Sequence, residues 1–410
     1  MGFFQPRISN PWQRPNRASY LRRSVISTVP QLKIHIIAAA LPPRLDGIGD
    51  YTALLAAELA HSATVTVLTA QTDPDPIPGV MVETVFAANE PRSVWNIARA
   101  IAADPPDWVL LQYNPFSYGK WGCNLHLPLM LALLKKRLPG VRIAVMAHET
   151  FVPLGVSRQF MVMTLWQRPQ FAVLSRTADA LFFSIEAWAK PYAAKFPGKP
   201  VVHLPVGSNI PRIPITRSEA RARLGIPGKT LVLGVFGAMH PSRLMDWVRD
   251  AAEAVCATGQ EMVVLYIGPD GEAVRGLLGS LPLIVGDGPC PAEEVSRRFA
   301  AMDIHLTPFI DGISTRRGSL MTGLQHGVAT VGTLGKNTDT ILRMASGKSF
   351  LASEVEAPEQ FIANTLALAT NAALREKIGQ DGMRLHEDKF GWKCIAEEML
   401  SALPQPRRNV

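Results

Sequence analysis

The sequence predicts an α/β protein of two domains, each a mainly parallel sheet covered by helices on both faces. Three observations carry this expectation. The chain has 410 residues, more than one hydrophobic core ordinarily organises. Short apolar runs alternate with segments of helical spacing, as βαβ units require. The alternation pauses at Gly207–Lys229, which carries Pro211, Pro214 and Pro227, and then restarts.

The elements follow in order. Lys33–Ala40 is an apolar run closed by Pro42 and Pro43 and reads as a buried strand. A glycine loop, Asp46-Gly47-Ile48-Gly49-Asp50, leads into helical spacing over Tyr51–Ala60. Further strands are expected at Thr64–Leu68, Val80–Val85, Trp108–Gln112, Arg142–Met146, Ala180–Ser184 and Val201–Leu204, with helices between most of them. After the pause come a strand at Thr230–Phe236, a loop at Gly237–Ser242 and a helix from about Arg243 to Ala257. Strands at Met262–Ile267 and Asp303–Leu306 follow, with helices between. The expected domains are 31–207, joined by a returning C-terminal helix at 390–410, and 208–389.

Composition narrows the function. Hydrophobic residues make up 47% and charged residues 19%, an ordinary globular balance. No apolar run approaches the ~18 residues of a membrane span. Cys123, Cys256, Cys290 and Cys394 lack metal-type spacing and read as buried free thiols, which fits a reducing cytoplasm. The net charge of +8 suits a phosphorylated small molecule or an anionic membrane. No zinc finger, RNP motif or basic helix points to nucleic acid.

Residues 1–30 carry Arg7, Arg14, Arg17, Arg22 and Arg23 and no acid. They lack the apolar core of a secretory signal. Pro6 stands where N-myristoylation needs Ser or Thr. The segment reads as a flexible extension, as a basic arm for the inner membrane face, or as a transit-like leader.

Four constellations carry chemistry. Gly47-Ile48-Gly49 opens a helix, where backbone N–H groups and the helix dipole favour anions; a plain strand–helix turn has the same sequence. The stretch Phe309-Ile-Asp-Gly-Ile-Ser-Thr-Arg-Arg-Gly-Ser-Leu320 follows a strand and enters an apolar segment ending at His326-Gly327. Its Ser314, Thr315, Arg316, Arg317 and Gly318 suit a diphosphate, with backbone donors and forked charge-assisted bonds; a solvated helix start is the rival reading. Tyr113-Asn114-Pro-Phe-Ser-Tyr118-Gly119 sits at the carboxyl end of a strand, where open α/β sheets bind ligands. These aromatics and amides suit sugar or lipid, or form a structural turn. Met146-Ala-His148-Glu149-Thr150 ends another strand, and its histidine suits proton transfer or a sugar hydroxyl; a structural histidine is the rival reading.

The order of these motifs resembles the retaining GT-B glycosyltransferases, family 4 in the sequence-based scheme. Ala40 through Thr52 is similar to that family's first glycine loop, and Ser218 through Pro227 to its entry into the second domain. Pro308 through Val331 is similar to its donor segment, and Phe390 through Leu400 to its closing helix. The likeness spans about Gln31 to Leu403. It implies two Rossmann-like domains facing each other across a cleft, acceptor in the first and nucleotide-sugar donor in the second.

By the same resemblance Gly47, Gly49, Gly237, Arg243 and Gly286 join the donor site, and His148 contacts the sugar. Asp50 and His148 are the expected catalytic groups, with Asp46 and Glu149 as further bases for an inverting reaction. Tyr113, Asn114 and Tyr118 are expected on the acceptor. The family's two donor-segment glutamates, eight positions apart, correspond here to Ser314 and Thr322, which leaves charge on the diphosphate to Arg316 and Arg317. The expected partners are a nucleotide sugar and a glycan, lipid-linked or small-molecule acceptor, with no metal or other cofactor. A catalytically silent binding subunit and a sugar-nucleotide epimerase are the alternatives.

Overall fold

A computed structural model of the chain describes residues 31–88, 90–152, 158–286, 288 and 290–404. The basic extension expected at 1–30 lies outside the described residues.

The first half runs β1 (Leu32–Ala38), α1 (Gly47–Leu59), β2 (Ala63–Thr69), β3 (Met81–Thr84), α2 (Trp95–Ala103), β4 (Trp108–Tyr113), α3 (His126–Arg137) and β5 (Arg142–Ala147). It continues with α4 (Arg158–Thr177), β6 (Ala180–Phe183), α5 (Glu186–Lys195) and β7 (Val201–His203). After a linker the chain forms α6 (Arg217–Arg223), β8 (Leu231–Phe236), α7 (Met245–Ala257), β9 (Met262–Ile267), α8 (Gly271–Leu278), β10 (Leu283–Val285) and α9 (Ala292–Ala301). Then come β11 (Ile304–Thr307), α10 (Gly318–Gln325), β12 (Ala329–Leu334), α11 (Thr340–Ala345), β13 (Leu351–Glu354), α12 (Pro358–Thr370), α13 (Ala372–Lys389) and α14 (Trp392–Ala402).

Two sheets result among the described residues. The first has the order β3-β2-β1-β4-β5-β6-β7 and the second β10-β9-β8-β11-β12-β13. Neighbouring strands pair in parallel, with Ile34 opposite Val65 and Trp108, and Leu233 opposite Val264 and Ile304. Each order reverses direction once, between β1 and β4 and between β8 and β11. Such switch points leave a crevice at the carboxyl ends of the strands, where doubly wound sheets take ligands.

The strands are apolar on both faces because both are covered. Ile34, Ile36, Trp108 and Met146 pack under α1 and α14, whereas Ile37, Val109, Leu111 and Val145 pack under α2, α3 and α4. The second sheet repeats this with Leu233 and Val264 on one face and Val232 and Leu265 on the other. The linker between β7 and β8 holds the proline-bearing pause.

Two expected boundaries shift. The glycine loop is the first turn of α1, which starts at Gly47 and not Tyr51. Asp46 caps it, its carboxylate accepting from the Ile48 N–H at 3.0 Å and the Gly49 N–H at 2.8 Å, so the backbone donors of the first turn already have a partner. The helix expected from Arg243 starts at Met245, leaving Arg243 in the preceding turn.

α14 crosses back to the first sheet. Ile395, Ala396, Met399 and Leu403 bury into the core beneath β1 and β4, and the Trp108 indole donates to the Pro404 carbonyl at 3.3 Å. A second tie joins the sheets at the ends of β6 and β12. Asp339 accepts from the Glu186 N–H at 2.6 Å, the Thr315 N–H at 2.7 Å and the Thr315 hydroxyl at 2.9 Å. Glu186 in turn accepts from the Thr340 N–H at 2.7 Å, and that bond, with the neighbouring Lys190, holds its carboxyl down to about 2.

Candidate active site

The strand ends place two chemically distinct regions in the cleft. One forms at the β8–β11 switch point. The chain leaves β8 through Gly237, whose φ of +109° only glycine adopts freely, and turns to Arg243. A Cβ at Gly237 would lie 3.1 Å from the Arg243 guanidinium, so the glycine also makes room for the Nη2 donation to the Phe236 carbonyl at 2.8 Å.

The chain leaving β11 supplies Phe309, Asp311, Ser314, Arg316 and Arg317. Two guanidiniums share the Phe309 ring, Arg317 at 4.0 Å and Arg243 at 4.8 Å, an attractive placement that also brings like charges together. Arg317 donates to Asp311 at 2.8 Å. Arg316 lies 3.5 Å from Glu149 and 3.8 Å from Asp311, over the Trp188 ring. Thus three arginines face two carboxylates, and the cluster keeps a surplus of +1.

The surplus is buried. Arg243 Nε and Nη1, Arg316 Nε, Arg317 Nε and Ser314 Oγ are buried without a hydrogen-bond partner in the protein. Burial, and next the Arg317 charge, pull Arg243 down to about 10. Burial lowers Arg317 too, against the pull of Asp311. A buried guanidinium with open donors costs several kcal/mol; an anion of suitable shape repays it. The N-terminus of α10 starts at Gly318, immediately after these arginines, and adds its dipole.

The second region is the β1–β4 switch point. A cavity of about 470 Å³ opens there between Ala39, Ala40, Asp46, Ile48, Asn114 and Phe116, with Arg44 and Lys120 at its margin. Gly47 faces open space, whereas a Cβ at Gly49 would press on the Ala40 carbonyl at 3.0 Å. Gly49 therefore serves close packing.

The regions meet at Glu149, which lies 3.5 Å from Arg316 and accepts from the Asn114 amide at 3.3 Å. Asp50 accepts from the Asn209 side chain at 2.9 Å, and burial raises its pKa against that bond. Asn209 belongs to the linker, and its side-chain oxygen lies 3.9 Å from where a Gly318 Cβ would stand. His148 packs edge-on against Tyr51 at 4.7 Å and hydrogen-bonds Gln112 through Nε2 at 2.8 Å. Burial pushes it down to about 3, so the imidazole is neutral at physiological pH. With Nε2–H donating to the Gln112 oxygen, only the acceptor Nδ1 is free. It can take a hydrogen bond from a hydroxyl but is a weak proton carrier.

The structure separates the other expected site residues. Arg243, Ser314, Arg316, Arg317 and Gly318 come together, and Asn114 lines the cavity while donating to Glu149 at 3.3 Å. The Thr315 hydroxyl is taken up by Asp339, the Ser184 carbonyl and His203, and it joins the sheets. Tyr113 and Tyr118 do not line the cavity. Both are buried in the core under α2–α4, with the Tyr118 hydroxyl donating to the Gln112 carbonyl at 2.7 Å. Gly286 lies by Arg298, where a Cβ would stand 2.2 Å from the guanidinium. Asp46 is a helix cap, and Thr322 bonds its own helix at the Gly318 carbonyl and Ser208.

Asp311, Asn209 and Phe309 were not singled out from sequence. The first and last lie inside the recognised segment, but only the fold shows that they balance and stack the arginines. Asn209, in a proline-bearing linker, carries no local signal.

No protein-family model matches the chain, and comparison with curated proteins gives no significant match. Solved structures do match over nearly the whole length. HepE from Anabaena, in complex with UDP and glucose, is 12% identical with a TM-score of 0.64, covering 91% of this chain and 99% of its own. Sucrose-phosphate synthase from Thermosynechococcus elongatus is 14% identical with a TM-score of 0.62, over 90% and 98%. A candidate UDP-N-acetylglucosamine 2-epimerase from Listeria monocytogenes is 14% identical with a TM-score of 0.57, over 93% and 100%. At these identities the likeness establishes the fold: two parallel-sheet α/β domains of the GT-B type.

Proposed function

We propose that the chain is a glycosyltransferase that binds a nucleotide sugar in the second domain and an acceptor in the first, in the manner of family 4. The observation that carries this is the uncompensated buried charge of Arg243 with Arg316 and Arg317, at the switch point of the second sheet. A nucleotide diphosphate matches it in charge and in acceptor oxygens. The structural neighbours named for UDP-sugar chemistry support the same ligand class.

In this reading the cavity beside Gly47 and Asn114 receives the acceptor. The acceptor hydroxyl oxygen bonds to the anomeric carbon as the carbon–oxygen bond to the diphosphate breaks. The arginines stabilise the charge that develops on the leaving diphosphate, and no resident metal is needed for that role. Attack on the face from which the diphosphate leaves gives retention, and the departing diphosphate itself takes the hydroxyl proton, so no protein base is needed. Asp50 is the base if the reaction inverts. A second reading, a sugar-nucleotide epimerase, draws on the Listeria neighbour and uses the same diphosphate site; release of the donor sugar to an acceptor separates the two.

The test is a thermal-shift series with nucleoside diphosphates and their sugars on the wild type and Arg243→Met. The wild type is expected to be stabilised by one nucleotide class. Arg243→Met is expected to keep or raise the ligand-free melting temperature, because it removes an unpaired buried charge. Nucleotide affinity should fall roughly ten- to hundredfold, the worth of a charge-assisted bond. A destabilised variant with unchanged nucleotide binding would make the arginine structural and refute the site.

A further inference from the structure

The outward surface of α3 and α4 is apolar where a solvent-facing helix layer is ordinarily polar. Along α3 and the residue before it, Leu125, Leu129 and Leu133 are exposed at four-residue spacing, which makes one stripe. Along α4, Met161, Val162 and Leu165 face outward, Leu165 at 74% exposure. The helices lie on the same face of the first sheet and share its core.

A tight turn at Lys120–Gly122 extends this surface to the cleft. Trp121 is 59% exposed there and holds φ at 56°, a conformation that aromatic residues rarely adopt. The turn is fixed from α4, since the Trp166 indole donates to the Trp121 carbonyl at 3.0 Å and the Gln167 amide at 3.1 Å. An open hollow of about 450 Å³ lies between Lys120, Trp121, Cys123 and Trp166. The fold thus holds a large indole outward at a conformational cost.

Charge selects what covers the surface. Lys120, Lys136, Arg137, Arg158, Arg168 and Arg176 are exposed on or beside these helices, whereas Lys135 is paired with Asp179 at 2.7 Å. Arg158, Arg168 and Arg176 punctuate the exposed face of α4, and Lys136 and Arg137 end α3. Leucine and tryptophan flanked by cations is the composition of a surface seated at the headgroup–acyl boundary of an anionic bilayer. A second copy of the chain would bring the same cations face to face.

We propose that the α3–α4 face of the first domain docks on an anionic lipid surface, with Trp121 and the exposed leucines in the interface and the flanking cations over the headgroups. The cavity at the β1–β4 switch point shares Lys120 and Trp121 with this surface, so it opens beside the bilayer. For the acceptor, and resting there on the transferase reading above, this points to a lipid-linked molecule.

The experiment is co-sedimentation of the full chain with vesicles of phosphatidylcholine, with and without phosphatidylglycerol. The wild type is expected to bind the anionic vesicles and to release as salt rises. Leu129→Glu with Leu165→Glu, both at exposed positions, should weaken binding at least roughly tenfold. Trp121→Gly, which accepts the positive φ without strain, should weaken it several-fold and keeps the proposal testable if the double variant misfolds. Wild-type protein that ignores anionic vesicles overturns the proposal, as do variants that bind as well as wild type. So does a wild-type dimer that the double variant breaks. Nucleotide-dependent melting shifts on the same preparations keep the two readings apart. Vesicle binding without any nucleotide shift counts against the transferase and leaves the surface standing; the converse counts against the surface alone.

Discussion

Tyr113 shows how a residue can carry the right chemistry in the right segment and still face the wrong way. It ends β4 at the rim of the cleft, yet its ring packs 5.4 Å from Phe171 and its hydroxyl is buried without a partner. Strand side chains alternate between faces, and the neighbour that points into the cleft is Asn114. Tyr113→Phe is therefore expected to leave stability unchanged or raise it by up to about 1 kcal/mol, since it removes an unsatisfied buried hydroxyl. It should leave acceptor turnover intact. Denaturant unfolding and a transfer assay check both, and a large loss of turnover would restore Tyr113 to the site. The neighbourhood of Arg316 and Arg317 was legible for a different reason: the two are adjacent in sequence, between an apolar strand run and a helix start, so the fold needed to bring nothing distant together to pair them. What sequence could not supply was Asp311, whose carboxylate is one acid among 34 Asp and Glu residues until the turn folds it onto Arg317.

At the scale of elements, α1 separates two glycines that look equivalent in sequence. Gly49 lies against the Ala40 carbonyl and Leu41 Cα, with a Cβ reaching 3.0 Å and 3.2 Å, while Gly47 has nothing within 4 Å. Gly49→Ala should cost roughly 1–3 kcal/mol by overpacking a backbone that cannot yield. Gly47→Ala should be neutral or stabilising by up to about 1 kcal/mol, since alanine is the better helix former. Melting curves of the two single variants give the comparison, and equal effects would contradict the packing. Ten strands were placed within a few residues from apolar runs, because a sheet covered on both faces writes itself as continuous hydrophobicity, whereas β10, β12 and β13 were not expected from the sequence. The start of α1 was misplaced because glycines read as a loop, and the signal that corrects it is the cap Asp46, one residue earlier.

At the scale of the molecule, Asp339 couples the sheets. Its side chain is fully buried and takes three donors from Glu186 and Thr315. Asp339→Ala strands those donors, and a loss of roughly 3 kcal/mol is expected from their combined desolvation. The calorimetric transition should also broaden or split as the two cores lose their coupling. A single, unshifted transition would show that the coupling lies elsewhere. None of this tie was visible in the sequence, because its members are 153 residues apart, Glu186 to Asp339. The two-domain division was visible, since it needed only the pause and restart of a local pattern.

The return of α14 sets an order of events during synthesis. Ile395, Ala396 and Met399 fill the core beneath β1, the first strand of that sheet. When the strands of the first sheet have left the ribosome, that core still lacks one wall. The second domain, in contrast, has all its strands and covering helices by Lys389. Although domains ordinarily mature from the amino-terminal end, here the amino-terminal one is the last to close. Until α14 has been made, that core keeps an open apolar seam on the nascent chain.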